Sequence, residues 1–310
     1  MRPDSIFRVY SMTKPVVTVA ALMLMEEGKL ALDDPVGKHL PEFAGRPVTI
    51  RHLLTHTTGF AVPTAAMEQA ADLNAYSRLA AGVAPAMAPG RRFEYNSVNT
   101  EIASRIVEVA SGKSLEAFLR ERIFVPLELD DTGFAVPPEK RSRIADMTSS
   151  DAFGKLVSWR AGDGKFAGDR MRRYASGAGG LYSTAGDFAR FCQMLLGGGR
   201  LDGITLLRPE SVEMMMTNQL TMLDPPVSQY GKGEGFGLGG YVLLDDPGRE
   251  RPGSVGQFGW SGAAGTYFTI DPRERLFAIL LTQHLPRGLA RDPKKISFQF
   301  YNLVYQALAK

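Results

Sequence analysis

The chain reads as an α/β protein of the α+β type: an antiparallel sheet flanked by helices, with an all-helical block inserted between its parts. Three observations predict this class. A long apolar helical pattern lies near the start, the middle of the chain has helical spacing almost throughout, and Gly-rich, aromatic strand patterns dominate after residue 175. The organisation that follows is a discontinuous α/β domain, residues 1–45 and 176–310, enclosing a helical domain, 46–175.

The first element opens at Ser11-Met-Thr-Lys14-Pro15, continues through the apolar run Val16 to Met25 and stops at Gly28. Proline is tolerated only in a first turn, which places the helix start near Ser11 or shortly after it. Apolar on nearly every face, this helix belongs in the middle of a domain. Val48 to His56 is a second helical pattern, closed by the turn Thr57-Thr58-Gly59. From about 66 to 130 the chain reads as helix, with the best spacing at Thr100 to Ser111 and Leu115 to Phe124. Gly235 to Leu244, Gly265 to Pro272 and Leu276 to Gln283 read as strands of one antiparallel sheet, with Asp271-Pro-Arg-Glu-Arg275 as the hairpin turn between the last two. Ile296 to Leu308 closes the chain as an amphipathic helix. Tyr182, Phe236 and Tyr241 are assigned to the core rather than to a pocket.

Composition excludes several classes. Apolar residues at 44% and charged residues at 22% give an ordinary globular profile, so disorder, collagen and coiled coil are out. Lys plus Arg (36) against Asp plus Glu (33) leaves +3, too little and too dispersed for a nucleic-acid surface. The single cysteine, Cys192, excludes an intrachain disulfide and a multi-thiolate metal site, and its setting reads as a buried helical thiol. No metal or cofactor is expected. The run Val16 to Met25 is about half of the roughly 20 residues that cross a bilayer, so no membrane association is expected. It imitates the apolar core of a secretory signal, but Asp4 precedes it and Glu26-Glu27-Gly28-Lys29 follows where small residues belong. The reading is a cytoplasmic protein.

Three motif-like strings carry no chemistry. Gly235 to Gly240 has the glycine spacing of a dinucleotide loop, but Tyr-Val-Leu-Leu follows where a helix must open. His52 and His56 lack the intervening Glu and a third ligand, so they read as packed or capping histidines. Gly259-Trp-Ser261-Gly-Ala263 lacks the last glycine of a nucleophile elbow and has strand on both sides, so Ser261 is not read as the nucleophile.

Ser11-Met-Thr-Lys14 is the informative string. Residues three apart on a helix share a face, which puts the Lys14 amine within reach of the Ser11 hydroxyl. A helix N-terminus also favours a developing alkoxide and leaves a backbone N–H for an oxyanion. The segment Ile6 to Pro15 resembles the nucleophile region of class C serine β-lactamases and their relatives, the DD-peptidases and the family VIII carboxylesterases. The resemblance continues in order through Leu30 to Val36, Ile50 to Phe60, Phe93 to Ser97, Ser111 to Glu116, Phe124 to Phe134, Gly179 to Ala189 and Phe258 to Thr266. It covers nearly the whole chain and implies the β-lactamase/DD-peptidase-like fold.

By position, the resemblance makes Ser11 the acylated nucleophile, Lys14 its activating partner and Tyr95 the general base for acylation and the acid for the leaving group. Ordinary values of about 10 for Tyr and about 10.4 for Lys are too high for a base at neutral pH. Lowering either by about three units takes roughly 4 kcal/mol, which a cationic neighbour and desolvation can supply. Which member holds the proton stays open. The Lys-Thr-Gly element of lactamases falls on Trp260-Ser261-Gly262, implying that these residues bind substrate and that the Ala263 N–H completes an oxyanion hole with that of Ser11. Trp260 replaces a cation and Ser97 replaces the Asn of Tyr-x-Asn, so two groups that grip a β-lactam are absent. An uncharged aromatic wall suits an apolar acyl or alcohol group.

The expectation is therefore a serine carboxylesterase acting on small, short-acyl, neutral esters. An acyltransferase of the same fold comes second and a weak β-lactamase or DD-peptidase third. A catalytically silent binding or scaffold member is the non-enzyme alternative, against which the intact Ser11, Lys14, Tyr95 set argues. Relatives usually carry a helix and the first strands before the nucleophile. Here Ser11 is only the eleventh residue, so those strands are expected to be missing. An uncovered sheet edge invites pairing, and a homo-oligomer through that edge is expected.

Overall fold

In a computed structural model of the protein, all residues are described except 152, 160–169, 224–230, 250, 287–295 and 309–310. The chain enters through strand β1 (Phe7–Arg8) and a 3-10 turn at Tyr10–Met12 that runs directly into helix α1 (Thr13–Glu26). Pro15 lies in the first turn, as its missing N–H requires, and every residue from Thr13 to Leu24 is buried.

Short helices α2 (Val36–His39), α3 (Ile50–Leu54), α4 (Ala65–Glu68) and α5 (Leu73–Ala81) follow. Thr49, Thr64 and Asp72 cap the last three through side-chain oxygens, each satisfying an otherwise orphaned N–H. The expected helical run is interrupted between α5 and helix α6 (Ser97–Ser111), where Gly82, Pro85, Pro89 and Gly90 prevent a helix from continuing. Helix α7 (Leu115–Leu119) leads into a wider π turn, Arg120–Phe124.

The segment 46–175, read from sequence as all helix, also carries strands β2 (Met147–Ser150) and β3 (Leu156–Trp159). They pair antiparallel with each other, and β2 pairs in parallel with a strand near the C-terminus. Four-residue strands whose third partner lies more than a hundred residues away leave no local periodicity to detect.

Strand β4 (Tyr182–Ser183) pairs with β1 and is followed by helix α8 (Ala185–Leu196), which buries Cys192 completely. After the small hairpin β5 (Arg200–Leu201) and β6 (Ile204–Thr205) and helix α9 (Pro209–Met216) comes the main sheet. Its strands are β7 (Glu234–Phe236), β8 (Tyr241–Leu243), β9 (Phe258–Gly262), β10 (Thr266–Asp271) and β11 (Leu276–Leu280). They are antiparallel throughout, in the order β11-β10-β9-β8-β7. Gly235 to Leu244, read as one strand, is a hairpin turned at Gly237–Gly240, a strand-turn-strand context that no dinucleotide loop shares.

Strand β12 (His284–Leu285) is the partner of β2, and helix α10 (Ser297–Leu308) packs against β11. Among the described residues β11 and β7 are the edges of the five-stranded sheet. No described helix is long and apolar enough to cross a membrane. One large core joins α1, α6, α8 and the inner face of the sheet, so the start of α1 is held from all sides.

Candidate active site

Ser11 lies in the 3-10 turn that precedes α1, and the residue before it, Tyr10, has φ 47°. A bulky side chain in the left-handed region costs on the order of 1–3 kcal/mol, so the surroundings must enforce it. Thr13 does so by donating from Oγ1 to the Tyr10 carbonyl (2.6 Å) while accepting from the Leu181 N–H (3.2 Å). One helical turn on, Lys14 is only 2% exposed. Its Nζ donates to Ser11 Oγ at 3.0 Å and to the Ala178 carbonyl at 2.6 Å.

Tyr95 stands just ahead of α6. The N-cap Asn96 fixes this corner, accepting from Val98 N (2.9 Å) and donating to the carbonyls of Phe60 (2.8 Å) and Ala61 (2.9 Å). Lys14 Nζ lies 4.8 Å from the centre of the Tyr95 ring, so the two candidates meet amine to ring face. The Tyr95 hydroxyl accepts a long bond from Trp260 Nε1 (3.4 Å). Ser97, at the first position of α6, shares a cavity of about 510 Å³ with Ser11, Lys14, Tyr95, Glu101 and Tyr182.

Trp260, Ser261 and Gly262 lie on β9 and do not line that cavity; Trp260 borders it through the Tyr95 ring, 5.1 Å away. The end of β9 is nevertheless pressed against the chain leading to Ser11. A Cβ on Gly262 would collide with the Val9 carbonyl, and Thr266 Oγ1 donates to that same carbonyl at 3.1 Å. Ala263 is exposed just beyond β9.

Two buried groups at the site were not assigned a part from sequence. His56, read as packed or capping, is packed, while His52 is the one that caps, closing a capping box with Thr49. His56 sits directly behind Tyr95, ring centres 4.8 Å apart, and touches Phe93 and Phe236 as well. Its Nδ1 accepts from Asn96 N (3.2 Å) and Asn99 Nδ2 (3.0 Å). Burial above all, then the charge of Lys14, holds it down at about 3, so the ring is neutral. Glu101 is the second. It accepts from Ser176 Oγ, Tyr174 OH (3.3 Å) and Gly177 N (3.1 Å), and burial pushes its carboxyl up to about 7 against the pull of Ser176 and Lys14. The available signal was a carboxylate flanked by Val98 and Ile102 on the buried face of α6, where an acid is uncommon. Tyr182, Phe236 and Tyr241 are all buried, yet Tyr182 also lines the cavity.

Chemically, the arrangement offers a hydroxyl bonded to a buried amine, a phenol alongside and a cavity sized for a small molecule. The Beta-lactamase family model matches residues 1–297. Protein Rv1367c of Mycobacterium tuberculosis is 35% identical over 324 residues, covering 92% of this chain and 79% of that protein. Esterase EstB of Burkholderia gladioli is 28% identical over 333 residues, covering 94% and 80%. Among solved structures, EstCE1, a hydrolase with promiscuous acyltransferase activity, superposes with a TM-score of 0.81 at 25% identity, over 98% of this chain and 86% of that one. A family match along almost the entire length, with hydrolases among its relatives, makes this chain a serine hydrolase belonging to the Beta-lactamase family.

Proposed function

We propose that the protein is a carboxylesterase that hydrolyses small, short-acyl esters through an acyl-enzyme on Ser11. The observation that carries this reading is the 3.0 Å bond from the buried Lys14 amine to Ser11 Oγ at the wall of the cavity. In this scheme Ser11 Oγ attacks the ester carbonyl while its proton passes to the Lys14–Tyr95 pair. The N–H groups of Ser11 and Ala263 receive the oxyanion. The alcohol leaves with the proton held by the pair, and water then repeats the sequence on the acyl-Ser11 bond. The apolar part of the cavity wall, Val62, Pro63 and the rings of Tyr76, Tyr95 and Tyr174, leaves room for a small apolar acyl group.

Purified protein is expected to give a burst with p-nitrophenyl butyrate and to be labelled by a fluorophosphonate. Ser11→Ala is expected to abolish both, with a loss in rate of more than roughly a thousandfold. Turnover retained in that variant would remove Ser11 from the reaction. A second reading, transfer of the acyl group to an alcohol or amine, draws support from the likeness to EstCE1. Product analysis with added alcohol separates the two, since only the transferase yields the exchanged ester in preference to the free acid.

A further inference from the structure

Glu101 is a buried acid that the proposed chemistry leaves unused. Its three donors, Tyr174 OH, Ser176 Oγ and Gly177 N, all come from one short stretch of chain. The next residue, Ala178, offers the carbonyl that accepts from Lys14 Nζ at 2.6 Å. The turn is closed on itself by Gly179 N and Gly180 N donating to the Ser176 carbonyl (3.3 and 2.8 Å). It sits flush against α1 and α6, because a Cβ on Gly177 would collide with Ser104 Oγ and with Val17. Just past it, Leu181 bonds to Thr13 and Val9 on either side of Ser11. The position of the Ala178 carbonyl thus decides where the Lys14 amine can lie.

We propose that Glu101 is a positioning residue that clamps the 174–180 turn, so that the Ala178 carbonyl holds the Lys14 amine against Ser11. The proposal rests on the reading of Ser11 and Lys14 as the reacting pair. The groups that face Glu101 are Lys14 from α1, Tyr76 from α5, Arg172 just before the turn, and Tyr174 and Ser176 within it. With a value near 7, Glu101 takes up a proton as the pH falls below neutral. One accepting oxygen then becomes a donor among donors, the clamp loosens and activity falls.

Glu101→Gln is the test, because it keeps the shape but places an amide NH2 where Ser176 or Gly177 donates. We expect kcat to fall by about tenfold or more with KM within about twofold. The acid limb of the pH profile near neutrality should disappear, and amide exchange across 174–180 should accelerate. The melting temperature near pH 8 should not drop, since a buried carboxylate has been removed; a residue with only a structural part would lower it. Ser176→Ala should move kcat and exchange the same way by less, and it serves if the first variant does not fold. Exchange is read without turnover, so it still judges the clamp if Ser11→Ala proves the site assignment wrong. Unchanged exchange across 174–180 in both variants, or an unchanged kcat and pH profile, overturns the proposal.

Discussion

The Ser11–Lys14 pair lies between two unlike regions. On one side His56, Phe93, Tyr95, Phe236 and Trp260 form a ring cluster with centres 4.8–6.2 Å apart. On the other, Lys14, Glu101, Tyr174, Ser176 and the Gly177 N–H form a hydrogen-bonded network under the cavity. Burial acts on both regions in the same sense, against charge, yet they respond differently. His56 accepts two donors at Nδ1, an arrangement that suits only the neutral ring, so burial and hydrogen bonding agree. Glu101 accepts three donors, which favour its anion, so they conflict and its carboxyl titrates near neutrality. The aromatic side is electrostatically settled, whereas the polar side is poised to change protonation at working pH.

Tyr95 stands between the two regions, its ring packed on His56 and Trp260 and facing the Lys14 amine, and removing only its hydroxyl gives the largest expected effect. Tyr95→Phe keeps the contacts with His56 and Trp260 and should leave the melting temperature nearly unchanged. Ester turnover should fall by roughly 10²–10⁴-fold, the usual worth of a general acid–base group. Turnover within about threefold of the original would assign Tyr95 to the aromatic wall alone.

The two regions should also impose opposite pH dependences on stability. His56 is held below its unfolded value of 6.5, at about 3, so its contribution is complete above pH 6.5 and is lost as pH falls toward 3. Glu101 is raised from 4.5 to about 7, so its contribution is complete below 4.5 and is lost as pH rises through 7. At 1.36 kcal/mol per unit, each is worth up to several kcal/mol. Urea midpoints between about pH 4 and pH 8 read both. His56→Gln should flatten the acid side of the curve and Glu101→Gln the alkaline side. A His56→Gln curve that kept the full acid slope would show that other groups carry it.

The start of α1, strands β10 and β11 and the turn between them follow from local rules: proline position, helical or alternating spacing, and turn residues. The proximity of Ser11 to Lys14 needed only helix geometry. By contrast, Glu101 meets the 174–177 stretch more than seventy residues downstream, and β2 meets β12 across more than a hundred. Nothing within a window of residues encodes such partners. His56 was legible as packed but not as the backing of Tyr95, because its ring partners come from two separate segments, Phe93 with Tyr95 and the distant Phe236.

The smallest expected effect concerns Trp260, which the resemblance set in the place of a lysine and which lies at the back of Tyr95 rather than on the cavity surface. Trp260→Lys removes ring contacts with Tyr95 and Phe236 at 5.1 and 5.2 Å and puts a cation on the aromatic side. Because the lost contacts are to the wall and not to the reacting atoms, kcat/KM on p-nitrophenyl butyrate should fall by only about three- to tenfold, in keeping with aromatic pairs worth about 0.5–1.5 kcal/mol. A hundredfold loss on the ester would instead mean that Trp260 touches the substrate, and the division between an aromatic support and a polar reacting side would have to be redrawn with β9 inside the site.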